Sequence, residues 1–110
     1  MADTTREVPR EERKAFFDEL GRSEPVPRVA VEVDGEDVGA QFESESATLA
    51  AISYDDKDDV LVVGFGDGGE QAEHLVYNPR RVYALDRDGE PSAIEVEDAE
   101  GTKTVINFGG

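Results

Sequence analysis

Residues 74–85, HLVYNPRRVYAL, hold the chain's single histidine, two of its three tyrosines, an Asn-Pro step and an adjacent arginine pair. Together these side chains could bind an anion. His74, Arg80 and Arg81 would supply positive charge and N–H donors, and Tyr77, Asn78 and Tyr83 further polar contacts. His74 is also the one side chain whose ordinary pKa suits proton transfer near neutrality. A Ser-His-acid triad could draw on Ser44, Ser46, Ser53 or Ser92, but no serine stands in a G-x-S-x-G elbow. The plainer reading of His74 is a strand residue near a loop, half-buried and hydrogen-bonded to a neighbour. Whether it meets Arg80 and Arg81 across the Asn78–Pro79 corner depends on the fold.

Metal chemistry has two weak footholds. Counted from Ala84, residues Asp86, Asp88, Gly89 and Glu95 fall on positions 3, 5, 6 and 12 of the calcium-binding EF-hand loop. The first ligand position is alanine, however, and the flanks look like strands, so Asp88-Gly89 reads better as a hairpin turn. DDKDD at 55–59 concentrates carboxylates, but the same template started at Asp55 ends on Gly66. GFGDGG, read from Gly64, lacks the spacing of a dinucleotide fingerprint, and no helix follows to present its N-terminus to a phosphate. No cofactor is implied.

The 110 residues suit one domain with one modest core. Against 27 Asp and Glu stand 11 Lys and Arg, a net charge of −16 with a pI near 4.2. Such a surface repels itself at low ionic strength and becomes tolerable where salt screens it. With lysine confined to Lys14, Lys57 and Lys103 among eight arginines, the composition resembles the cytosolic proteins of a salt-in halophile. The absence of cysteine removes disulfides, thiolate zinc sites and cysteine nucleophiles together. No apolar run approaches the roughly 20 residues of a membrane span, and the acidic N-terminus lacks the apolar stretch of a signal peptide. A cytoplasmic location is expected.

The elements that would position these residues follow from apolar spacing. Pro9, then Glu11 and Glu12, then Gly21 mark a helix over 9–21, with Phe16, Phe17 and Leu20 as its docking stripe. Residues 1–7 show no apolar period and are expected to fray. Pro25 and Pro27 break the chain, and 28–108 reads as β. Val29, Val31 and Val33 alternate with polar residues, Asp34-Gly35 offers hairpin chemistry, and Val38, Ala40 and Phe42 resume the inward face. ATLAAISY suggests a third strand. VLVVGFG, apolar from Val60 to Phe65, predicts a strand covered on both faces at the centre of the fold. GDGGEQAE reads as a loop, and four more short strands follow, punctuated by Asn78-Pro79, Asp88-Gly89 and Glu100-Gly101.

REVPREERKAFFDEL, the VEVDGEDVGAQ hairpin, HLVYNPRRV and the terminal AIEVEDAEGTKTVINF give the chain a resemblance to the prokaryotic family of unknown function DUF5335. It rests on residues Arg6 to Pro9, His74, Asn78, Pro79, Gly101, Thr102, Thr104 and Phe108, and so spans nearly the whole length. Phe16-Phe17 stand where the family pattern has a tryptophan. The resemblance implies a single domain, and no activity.

The expected fold is α+β: one N-terminal helix on a mainly antiparallel, strongly curved sheet of six or seven strands, a small barrel or sandwich spanning 1–110. The expected role is that of a non-enzymatic cytosolic interaction or binding module of a halophilic archaeon, engaging a protein partner or a second copy. Two other readings are an enzyme using His74 with Arg80 or Arg81 on an anionic substrate, and an Sm-like RNA-binding barrel presenting Arg80, Arg81 and Tyr83. Nucleic acid is disfavoured because phosphate contacts weaken steeply in salt, and no membrane partner is expected.

Overall fold

A computed structural model of the chain describes residues 3–22, 28–35, 39–67 and 70–108. One helix, α1 (Arg10–Gly21), accompanies eight strands: β1 (Asp3–Glu7), β2 (Arg28–Gly35), β3 (Gly39–Asp55), β4 (Val60–Asp67), β5 (Glu70–Tyr77), β6 (Pro79–Arg87), β7 (Glu90–Asp98) and β8 (Lys103–Phe108). They form one sheet in the order β1-β6-β7-β8-β2-β3-β4-β5, antiparallel at every pairing.

The 17-residue β3 gives the sheet its shape. Its first part, to Thr48, pairs with β2, and its last part, from Leu49, pairs with β4. Register shifts interrupt both ladders, and such irregularities bend a strand and increase its twist. Beyond the bend, β5 comes back over β8, and His74 reaches Thr104. Val29, Val31, Leu61, Val63, Ile94, Val96 and Ile106 fill the space between, all of them buried.

The helix closes this core with Phe17, which is fully buried, while Phe16 and Leu20 pack partly against it. Pro9 is the N-cap, with φ −61° and ψ 153°, one position earlier than the first helical turn its ring would suit. Glu11 and Glu12 occupy the first turn, where the helix dipole favours negative charge. At the other end Gly21 passes so close to β3 that a Cβ there would lie 3.0 Å from the Ile52 carbonyl oxygen.

The expected fold class is corrected in several respects. Among the described residues the protein is mostly β, with 70 residues in eight strands, and the sheet does not close into a barrel. Residues 3–7 form β1, paired along β6 from Asp3↔Arg87 to Glu7↔Tyr83. All five are exposed, so no apolar alternation marks them, and the β6 ladder holds them instead. Asp34 and Gly35 belong to β2, opposite Ala40 and Gly39. The connection at 36–38, the break at 23–27 and Gly68-Gly69 lie outside the described residues, as do the side chains of Ala40 and Phe42. β5 begins at Glu70, inside the segment expected to be a loop. Finally, β4 stands next to the sheet edge, and only Leu61, Val63 and Phe65 of its run are buried side chains. Val60 and Val62 point to the other face and are half-buried.

Candidate functional site

The corner between β5 and β6 is built on Asn78, whose φ of 54° is left-handed, a conformation that asparagine tolerates better than most residues. Its backbone N–H donates to the Asp59 carbonyl at 2.9 Å, and its own carbonyl accepts from Ala99 N–H at 3.1 Å. Pro79 follows, buried and without an N–H to satisfy. The carbonyls of Pro79 and Arg80 both point at α1. There Arg13, 3% exposed, donates from Nη1 to Pro79 O and from Nη2 to Arg80 O, each at 2.9 Å.

Arg13 also lies over the Tyr54 ring, 5.9 Å from its centroid, an arrangement in which the ring's negative face meets the cation. The Tyr54 hydroxyl donates to Asp59 Oδ1, and Arg10 comes within 3.8 Å of the same carboxylate. Burial and then the hydrogen bond to Asp59 raise the Tyr54 pKa above its ordinary value. One connected polar group thus ties the helix, the end of β3, the β3–β4 turn and the β5–β6 corner together. Within it, only Nε of Arg13 is buried without a hydrogen-bond partner. Motif spacing does not reveal this network, although one signal is present in the sequence: Arg13 precedes Phe17 by four and Phe16 by three, on the docking face.

The residues singled out in 74–85 separate. His74 shares the inner face with buried Val76, and its Nε2 lies 3.1 Å from Oγ1 of Thr104, itself buried. Val82 and Ala84 are buried, so Arg81 and Tyr83 face outward. The Tyr83 side chain hydrogen-bonds Arg81 and, with Glu97 and Glu7 nearby, raises its pKa. Arg80 contributes its carbonyl to Arg13 and exposes its side chain. The structure therefore brings Arg81 to Tyr83, and Tyr77, Asn78 and Arg80 to one corner, while His74 faces inward from the opposite layer. An anion site needing His74 beside Arg81 is not formed. For RNA, the Arg81–Tyr83 pair is flanked across the ladders by Glu7, Glu95 and Glu97, which would repel phosphate.

The three candidate calcium ligands are likewise engaged apart from one another. Asp86 pairs with Arg6 at 3.5 Å and Glu95 with Lys103 at 3.6 Å. Asp88 and Gly89 form the β6–β7 turn with φ of 53° and 85°. Among the described residues, no group of three or more His, Cys, Asp or Glu could hold a metal ion. Among them, too, no helix is long and apolar enough to cross a membrane.

What the corner does carry is an apolar outer surface. Among the described residues, Leu75 and Tyr77 are the exposed large hydrophobics, at 39% and 63%. Directly opposite them on β4 stand Val62 and Val60. Around this patch lie Glu73 on β5 and the exposed turn carrying Asp55, Asp56, Lys57 and Asp58. Asp55 accepts N–H bonds from Lys57 at 2.9 Å and Asp58 at 3.2 Å, and these, Asp58's first, lower its pKa and keep it ionised.

Fold and surface together define a small, mostly β domain with one helical plug and an open sheet, whose outer edge is apolar within an acidic surround. The chain belongs to the family of unknown function DUF5335, whose pattern matches residues 4–109. It is similar to an uncharacterized protein of Aquifex aeolicus (strain VF5), 37% identical over 104 residues that cover 94% of this chain and 91% of the relative. That relative is bacterial, so it gives no support to an archaeal, halophilic source. No solved structure matches the chain significantly.

Proposed function

We propose that the protein is a non-enzymatic interaction module, active in the cytoplasm of a cell with a salt-rich interior, and that the outer face of β4 and β5 is its contact surface. The observation that carries this reading is the apolar set Val60, Val62, Leu75 and Tyr77. A strand with one solvent face ordinarily alternates apolar and polar side chains. β4 instead repeats valine on its outer face, and β5 sets the exposed Leu75 and Tyr77 against those valines. Contiguous apolar surface with a polar rim is the signature of a surface that something covers. The −16 net charge supports the salt-rich setting, because a surface this acidic is best tolerated where repulsion is screened.

Site-directed photo-crosslinking in the source cells tests the reading. A benzophenone side chain at position 77 is expected to give one discrete adduct, either with a defined protein or with a second copy. The same group at Glu100, in the exposed β7–β8 turn, is expected to give none. Equal, diffuse labelling from both positions would overturn the assignment of the surface.

A further inference from the structure

The two edges of the sheet differ. β1 is five residues long, wholly exposed and charged at Asp3, Arg6 and Glu7, with ion pairs from Arg6 to Asp86 and from Arg87 to Asp3, both at 3.5 Å. Short, charged edges resist the addition of another strand. β5 is longer, and although Glu70 and Glu73 lie in its first half, its last three residues, Leu75 to Tyr77, carry no charge. It pairs with β4 over eight consecutive positions, Val60↔Tyr77 to Asp67↔Glu70, without a register shift or an internal proline. Among the described residues no strand lies on its other side. Its alternate backbone N–H and C=O groups are therefore available as a template, next to side chains that are themselves apolar and exposed.

We infer, on the reading that this surface is the contact site, that its occupant is an extended, lysine- or arginine-bearing segment of a partner protein that adds to β5 as a further strand. Main-chain hydrogen bonds would give such a complex its geometry, and the partner's apolar side chains would continue the stripe begun by Val62–Leu75 and Val60–Tyr77. Charge selects the partner's ends. Glu73 stands on the strand itself, and Asp55, Asp56 and Asp58 at the Tyr77 end outnumber the single Lys57. Arg80 is also exposed at this corner, as are Arg10 and Lys14, which pair with Asp59 at 3.8 Å and with Asp18 at 3.7 Å. A second copy would bring two such acidic rims together, whereas basic flanks would neutralise them.

A fluorescein-labelled peptide, Lys-Val-Thr-Val-Thr-Val-Lys, provides the test, read by anisotropy at low and at molar salt. Binding is expected, with protection of β5 amides from hydrogen exchange. Replacing the flanking lysines by glutamate, or N-methylating alternate peptide bonds, should weaken it by about tenfold or more. So should the paired substitutions Leu75→Thr and Tyr77→Thr, which are exposed and keep strand propensity, with the circular dichroism melt checking that the fold persists. Salt is expected to weaken binding toward a floor set by the ladder and the apolar contacts. Indifference to the flanking charge at low salt, or to N-methylation, would overturn the inference. A sedimenting dimer broken by the paired threonine variant would overturn it too, by naming a second copy as occupant, and would leave the contact surface standing.

Discussion

Arg13 shows how one side chain can hold a corner of a fold. A buried guanidinium is tolerated when its donors meet acceptors in a fixed fork, and the two carbonyls at Pro79 and Arg80 supply that fork. Replacement by methionine would keep much of the volume and leave both carbonyls without a partner. A loss of about 2–3 kcal/mol is expected from the urea midpoint. Lysine should recover only part of this, because a single ammonium cannot reproduce the planar pair of contacts; full recovery by Arg13→Lys would show that charge alone matters. Tyr54 makes a second prediction, in pH. Its folded pKa is raised, so the neutral phenol is the form the fold favours. The stability this contributes is present in full below the ordinary tyrosine value of 10.0 and is lost as pH rises through the folded value. Alkaline titration should show one phenol ionising late, and Tyr54→Phe should remove that component, flatten the alkaline fall in stability and cost about 1 kcal/mol at neutral pH.

At the scale of elements, the close approaches set the next prediction. Gly21→Ala would ordinarily favour a helix, but at the last helical residue that gain is small and the new Cβ meets the Ile52 carbonyl of a core strand at 3.0 Å. The substitution is expected to lower the melting temperature, and Gly21→Val to lower it further; a rise with alanine would show that β3 yields there. What the sequence displays of these elements, it displays through burial. Phe17, Val29, Val31, Val82, Ala84, Ile94 and Val96 each sit on the face their alternation or helical spacing indicates, and Asp88-Gly89 and Gly101 make turns with left-handed backbone. Edge strands are hidden, because β1 and the first half of β5 bury little and leave no apolar period to read. The run from Val60 to Phe65 misleads for the opposite reason: continuous hydrophobicity signals cover on both faces, and among the described residues only the face of Leu61, Val63 and Phe65 is fully buried. Of the residues that the sequence singles out, Tyr77, Asn78 and Arg80 stand at the β5–β6 corner. Arg13 meets Tyr54, Pro79 and Arg80 through contacts far apart in sequence, and Leu75 gains its meaning only once β5 is known to be an edge.

For the molecule as a whole, charge has the farthest reach. Ion pairs on the surface, such as Lys14 with Asp18 at 3.7 Å and Arg87 with Asp3 at 3.5 Å, contribute about 0–1 kcal/mol each and weaken as salt rises. Opposing them is the mutual repulsion of a −16 domain, which the same salt relieves. Screening shortens from roughly 30 Å at 0.01 M to about 3 Å at 1 M. Since the radius of gyration is 13.2 Å, repulsion reaches across the whole domain at the low end and only between neighbours at the high end. Salt therefore removes the long-range repulsion more completely than it weakens the contact pairs, and unfolding free energy is expected to rise with sodium or potassium chloride, most steeply at low concentration. Urea melts across that range check the sign. A charge-reducing set at exposed positions away from the contact surface, Glu19→Gln, Glu90→Gln and Glu100→Gln, should raise stability at low salt and lose that advantage at molar salt. If instead the parent protein is destabilised by salt, local ion pairs outweigh the net charge, and the acidity has to be explained by a partner rather than by the solvent.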